Sequence, residues 1–230
     1  GVLAYIALGE VRIGRKRLRA LSSAQDSLPT PASLALASGA FESVPDRYCG
    51  LFDLGRSISG FSPVGVAQLQ LSADSIASID HLVADIELAR EHVHVLFYIW
   101  LEDDNGGKVA AALMRAARRG VQCRAMVDGL GSRRFIKSAS WREMESAGVK
   151  LAVALPLGIP VLRFLRSRAD LRNHRKLAVI DNRISYCGSQ NCADPEFRVK
   201  ARFAPWVDIL VRIEGDLALQ NQHVFAVDWM

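Results

Sequence analysis

From Asp74 to Leu155 the hydrophobic pattern switches repeatedly between a helical and a strand period, and few folds accommodate that alternation. Ile76, Ile79, Leu82, Val83, Ile86 and Ala89 recur at helical spacing across residues 74–90. VHVLFYIW (93–100) is a β-branched and aromatic run of strand length. Gly106–Gly107 are expected to break the chain before a helix over VAAALMRAARRG (109–120), which a glycine ends. VQCRAMVD (121–128), WREMESAG (141–148) and VKLAVAL (149–155) then predict strand, helix and strand. Such a rhythm belongs to an α/β domain whose parallel strands are joined by crossover helices.

After residue 155 the rhythm breaks. KLAVID and ISYCGS are strand-like runs with almost nothing between them, so an antiparallel hairpin is expected. WVDILVRIEG (206–215) predicts a further strand and DLALQNQHVFAVDW (216–229) a closing helix. The expected fold is a mixed, mostly parallel sheet flanked by helices, beginning near Val66 and running to residue 230, with no unit repeated.

Residues 21–65 are rich in Ser, Pro, Gly and Ala and predict a linker with irregular elements. Before them, GVLAYIAL is apolar for only eight residues, short of the about 20 that a spanning helix needs. Arg12, Arg15, Lys16, Arg17 and Arg19 follow it. Residues 1–20 therefore suit either the end of a membrane helix with its cytoplasmic basic flank or a basic amphipathic terminus.

With 230 residues, half of them hydrophobic, the chain has enough apolar material for a full core and is neither disordered nor fibrous. The net charge of +5 favours an acidic partner: a phosphate-bearing lipid, a nucleic acid or an anionic membrane surface. Cys49, Cys123, Cys187 and Cys192 lack C-x-x-C or zinc-ligand spacing, so reduced thiols without a metal are expected.

The chemistry concentrates in NHRKLAVIDNRISYCGSQN (173–191), where His174, Lys176 and Asp181 stand at H-x-K-x4-D spacing. Residues two apart on a strand share a face. An imidazole beside an ammonium suits a phosphodiester: lysine neutralises non-bridging oxygens while histidine attacks phosphorus or moves a proton. A two-residue turn at Asn182–Arg183 would set Lys176 opposite Ser189 and His174 opposite Asn191, gathering four phosphate-gripping groups. Asp181 has the wrong parity and would stiffen the turn. Asp208 would orient His174 by bonding one imidazole nitrogen. GLGSR (129–133) is a turn that would line the site, and His92 and His94 are structural. The run from Arg163 to Lys176 carries six cations, a solvated face or a surface for anionic headgroups.

The segment His174-Arg-Lys176-x4-Asp181 followed by Gly188-Ser-Gln-Asn191 resembles the HKD motif of the phospholipase D superfamily. Residues 66–230 are similar more closely to bacterial cardiolipin synthases, through FYIW (97–100), MRAARRG (114–120), CRAMVDGLGS (123–132), DLRNHRK (170–176), GSQN with DP (188–195) and W-x-D-x4-R-x-EG (206–215). The resemblance implies a transphosphatidylase at the inner membrane, its catalytic lobe facing the cytoplasm. It implies that two phosphatidylglycerols become cardiolipin and glycerol through a phosphohistidine, without metal or other cofactor. By the same resemblance His174 is a catalytic histidine, Lys176 a phosphate ligand, Ser189 and Asn191 substrate-binding, and Asp181 a brace. Those enzymes carry two HKD lobes, whereas one motif is present here. The expected partners are therefore phosphatidylglycerol, an anionic membrane surface, and a second HKD lobe from a C-terminal half or a dimer mate. The alternative is a single-HKD phosphodiesterase or nuclease acting as a homodimer, its arginines tracking a nucleic-acid backbone.

Overall fold

The structure, a computed structural model, describes residues 22–23, 26–36, 44–156, 172–197 and 205–230. The basic segment at 1–20 and Arg163, Arg166 and Arg168 lie outside the described residues. Helices α1 (Pro31–Leu36) and α2 (Asp46–Ser59) occupy part of the stretch expected to be linker. Gly50 and Gly55 interrupt the apolar pattern of α2, and none of its residues is buried, which is why periodicity did not reveal it. No described helix is long and apolar enough to cross a membrane.

The rest alternates as β1 (Gln68–Leu71), α3 (Ser75–Leu88), β2 (His92–Phe97), α4 (Asp104–Arg118), β3 (Gln122–Asp128), α5 (Ala139–Ser146), β4 (Lys150–Ala154), β5 (Leu177–Ile180), β6 (Ile184–Gly188), β7 (Leu210–Glu214) and α6 (Leu217–Trp229). The strands form one sheet in the order β1-β7-β6-β5-β2-β3-β4. The sheet is mixed, as expected, but not mostly parallel. β2, β3 and β4 run parallel, while the β2–β5, β5–β6, β6–β7 and β1–β7 pairs are antiparallel. The physical reason is connection length: β5 and β6 are joined by a turn too short for the crossover that a parallel pair requires.

Gly106–Gly107 do not break the chain. They lie in the first turn of α4, where Asp103 caps the helix by accepting from Gly106 N at 3.0 Å. A glycine is needed there because a Cβ at 106 would lie 1.9 Å from the Leu101 carbonyl oxygen.

Side chains alternate across the sheet as a period of two requires. Val93, Val95, Phe97, Ala125, Val127, Ala178, Ile180 and Tyr186 pack against Ile79, Leu82, Ile86, Leu113 and Met144 from α3, α4 and α5. On the opposite face Leu96, Met126, Leu177 and Val179 pack against Phe225 of α6.

Under α6 the apolar layer gives way to His94, whose ring stacks on Phe225 at 4.7 Å. Arg124 donates to His94 Nε2 at 2.9 Å, and because arginine only donates, the proton belongs on Nδ1, which faces Gln222 Oε1 at 2.9 Å. Burial, assisted by the charges of His92 and Arg124 and opposed by the Gln222 bond, pushes His94 down to about 4. Above pH 6.5 neither the folded nor the unfolded chain holds this proton. As pH falls toward 4 the unfolded chain takes it and the folded one does not, so stability should drop by about 3 kcal/mol. Urea unfolding near neutral pH and near pH 4 checks this; the pH dependence should flatten in His94→Gln relative to the parent.

Candidate active site

The hairpin carrying the motif pairs Leu177 with Cys187 and Ile180 with Ile184, so its turn is three residues, Asp181–Arg183. That is one residue longer than the expected turn. Asp181 and Asn182 both take left-handed backbone conformations, with φ of 50° and 53°, which these two residue types tolerate. The longer turn shifts the register, and the expected opposition of Lys176 to Ser189 and of His174 to Asn191 does not form. Continued past the strand ends, the observed register would bring Lys176 to Gly188.

A bulge compensates. Ser189 N and Gln190 N both donate to the Ile209 carbonyl, at 2.8 and 3.3 Å, so two residues of one strand oppose one of the next. Gly188 permits that approach, since a Cβ there would lie 2.0 Å from Ile209 O. Ser189 Oγ then donates to Asp208 Oδ1 at 2.7 Å and accepts from Ile209 N at 3.1 Å. Asp208 precedes β7 rather than lying within it, and Ser189 instead of His174 is its hydrogen-bond partner. Burial pushes the Lys176 ammonium below its usual value, and the nearby Asp208 carboxylate partly offsets this.

His174 is exposed, and its ring lies flat on Tyr98, with centroids 3.9 Å apart and planes 21° apart. Lys176 Nζ donates to the His174 carbonyl at 2.6 Å and lies 5.4 Å from the Tyr98 ring centroid. Neither His174 ring nitrogen has a hydrogen-bond partner among the described residues, which leaves a lone pair for chemistry.

Tyr98, the first residue past β2, was not singled out by sequence reasoning. Its backbone is clamped by the loop that was expected to line the site. Ser132 Oγ donates to Tyr98 O at 3.1 Å, and a Cβ at Gly131 would lie 2.3 Å from that oxygen. Next to it, Ile99 N donates to Asn191 Oδ1 at 3.1 Å, leaving the Asn191 amide NH2 without a protein partner among the described residues.

A second set of missed residues holds the approach to His174. The Asp128 carboxylate accepts from Arg172 Nε at 3.0 Å, Asn173 N at 3.1 Å, Leu130 N at 2.8 Å and Gly131 N at 3.1 Å. Asp228 of α6 takes Asn173 Nδ2 at 2.9 Å and Arg175 Nη1 at 2.8 Å. Residues on either side of His174 are therefore tied to β3 and to α6. No spacing rule connects positions so far apart in the chain.

Asp181 lies at the other end of β5 from His174 and Lys176. Its carboxylate accepts from Arg90 N, Glu91 N and His92 N, each at 2.9 Å. Burial raises its pKa, but these three backbone bonds outweigh that and hold it below the usual carboxylate value. The brace therefore stabilises the fold fully at neutral pH and is lost only in acid, as pH falls through that depressed value. Asp181→Ala should cost roughly 1–3 kcal/mol in chemical denaturation, because it leaves backbone N–H groups unpaired.

Residues 82–223 match the family described as cardiolipin synthase, PLD-like domain. Cardiolipin synthase A of Erwinia tasmaniensis is 38% identical over 235 residues, spanning all of this chain and 47% of that protein. Cardiolipin synthase A of Escherichia fergusonii is 37% identical over 232 residues, with the same coverage. The chain thus spans about half the length of the curated relatives it matches. Among solved structures it is similar to a phospholipase D family member, Nuc from Salmonella typhimurium, with a TM-score of 0.51 at 19% identity over 70% of this chain and 93% of that one. Phosphatidylserine synthase of Haemophilus influenzae gives a TM-score of 0.52 at 13% identity, over 73% of this chain and 38% of that one. These two likenesses show the fold. The family match encloses the histidine, the lysine, the braced aspartate and the bulged serine described above, and the chain belongs to the cardiolipin synthase, PLD-like domain family.

Proposed function

We propose that this lobe supplies half the active site of a transphosphatidylase that condenses two phosphatidylglycerols into cardiolipin and glycerol. The observation that carries the reading is His174 lying exposed on Tyr98 with both ring nitrogens unpaired among the described residues, beside a partly desolvated Lys176. One histidine of an HKD pair, His174 or its counterpart in a second lobe, attacks phosphorus. The bond to the glycerol oxygen breaks, and the other histidine protonates the departing glycerol. The phosphatidyl group remains on nitrogen until that second histidine removes a proton from the hydroxyl of another phosphatidylglycerol, whose oxygen displaces the first histidine. No electrons are transferred to or from an outside agent, and protons balance between the two rings. Lys176 and the Asn191 amide hold the non-bridging oxygens, and Ser189 joins them as its hydroxyl proton turns from Asp208 to the phosphate, stabilising charge as it develops. Asp208 positions Ser189, and Asp181 braces the hairpin.

The net charge of +5 and the basic run Arg12–Arg19 support placement against the anionic cytoplasmic face of the inner membrane. The test is the two-lobed polypeptide on vesicles containing phosphatidylglycerol: cardiolipin and glycerol should appear one to one. A homodimer of this chain that cleaves nucleic acid and makes no cardiolipin would replace the reading with phosphodiester hydrolysis.

Tyr98 fixes the plane of the His174 ring. Tyr98→Leu should lower kcat by roughly tenfold to a hundredfold while KM changes little, and Tyr98→Phe, which keeps the stacked face, should stay close to the parent. Steady-state kinetics on the two-lobed enzyme separates the two outcomes.

A further inference from the structure

A groove of about 500 Å³ opens beside the phosphate-binding groups, between the end of β1, the first turn of α3 and residues 205–210. This volume lies within the range of small-ligand sites. Asp208, the partner of Ser189, lines it, as does Ile209, whose carbonyl receives the bulge. The groove therefore adjoins Ser189 through Asp208 and Ile209, both of which Ser189 touches. Leu71, Ile76, Trp206, Val207 and Ile209 form its walls, and all five are exposed, Val207 at 93%. Large apolar side chains gathered at the surface mark a binding site more often than chance placement does.

Charge narrows the occupant. Among the described residues, the lining includes the carboxylates of Asp74, Glu196 and Asp208 and no lysine, arginine or histidine. A second phosphate would be repelled, whereas a hydrocarbon chain would gain contact with the apolar walls. We infer that the groove takes one acyl chain of the phosphatidyl group whose phosphate is held by Lys176 and Ser189. This rests on the phosphatidyl-transfer reading. It makes the groove a determinant of which lipids are used.

Two measurements on the two-lobed enzyme test it. Phosphatidylglycerol with a photoreactive diazirine at the acyl terminus should label peptides containing residues 68–76 or 205–210. Labelling confined to other peptides, or labelling of these by a probe on the glycerol headgroup, overturns the inference. With monomeric dihexanoyl to dioctanoyl phosphatidylglycerol, kcat/KM should rise by up to about fourfold for each methylene that enters the groove. Ala73→Trp, at an exposed lining position, should flatten that rise; an unchanged slope overturns the inference. If no chain length yields cardiolipin, the transfer reading fails, and the photolabel alone decides whether the groove holds an acyl chain.

Discussion

His174→Ala in the two-lobed enzyme should lower kcat for cardiolipin formation by about 10⁴-fold or more, because it removes a reacting nitrogen rather than a contact. The fold should barely register the change. His174 is exposed and its ring makes no side-chain hydrogen bond among the described residues, so the expected loss is the Tyr98 stack, within about 1 kcal/mol. Turnover and denaturant midpoint measured on the same preparation check both halves. A variant that keeps even a tenth of the activity would remove His174 from the chemistry. Isotope-labelled phosphatidylglycerol assigns its role: with the counterpart histidine replaced, label retained on His174 identifies it as the nucleophile.

Asp128→Ala should show the opposite balance, a large loss of stability with activity falling as a consequence. Its ion pair with Arg172 closes at 2.8 Å with side chains 0% and 6% exposed, and breaking a buried pair leaves the surviving charge uncompensated. The expected cost is about 3–5 kcal/mol. Adding Arg172→Leu to Asp128→Ala should cost much less than the sum of the single changes, because the stranded guanidinium is then gone. Urea denaturation of the two single variants and the double variant completes that cycle. Simple additivity would mean that the pair is not coupled.

These two residues mark where the sequence was legible and where it was not. The periods of α3, β2 and β3 emerge from residues close together in the chain, and the H-x-K-x4-D spacing survives any error in the surrounding geometry. Register did not survive. Parity counting assumed a two-residue turn, but left-handed Asp181 and Asn182 lengthen it, and a bulge at Ser189 and Gln190 then offsets the shift. Those opposing departures brought Ser189 to Asp208 by a route that counting could not trace. Gly106–Gly107 misled for a related reason, since the glycine at 106 answers the closeness of Leu101 O rather than a need to end a helix. Tyr98 and Asp228 left no local signal, because each acts on residues more than 50 positions away, and Asp128 reaches Arg172 and Asn173 across 44 and 45 positions.

β5 also gives the four unspecified positions of the motif a meaning. Leu177–Ile180 are all buried and pair residue by residue with Val93–Leu96, and Asp181 is fastened to the N–H groups just before them. The strand is a ruler laid across the sheet, with His174 and Lys176 at one end and the anchor at the other. Its marks can be any apolar side chain of fitting volume. Their number is fixed, since one residue more or fewer would turn every buried side chain of β5 to the opposite face.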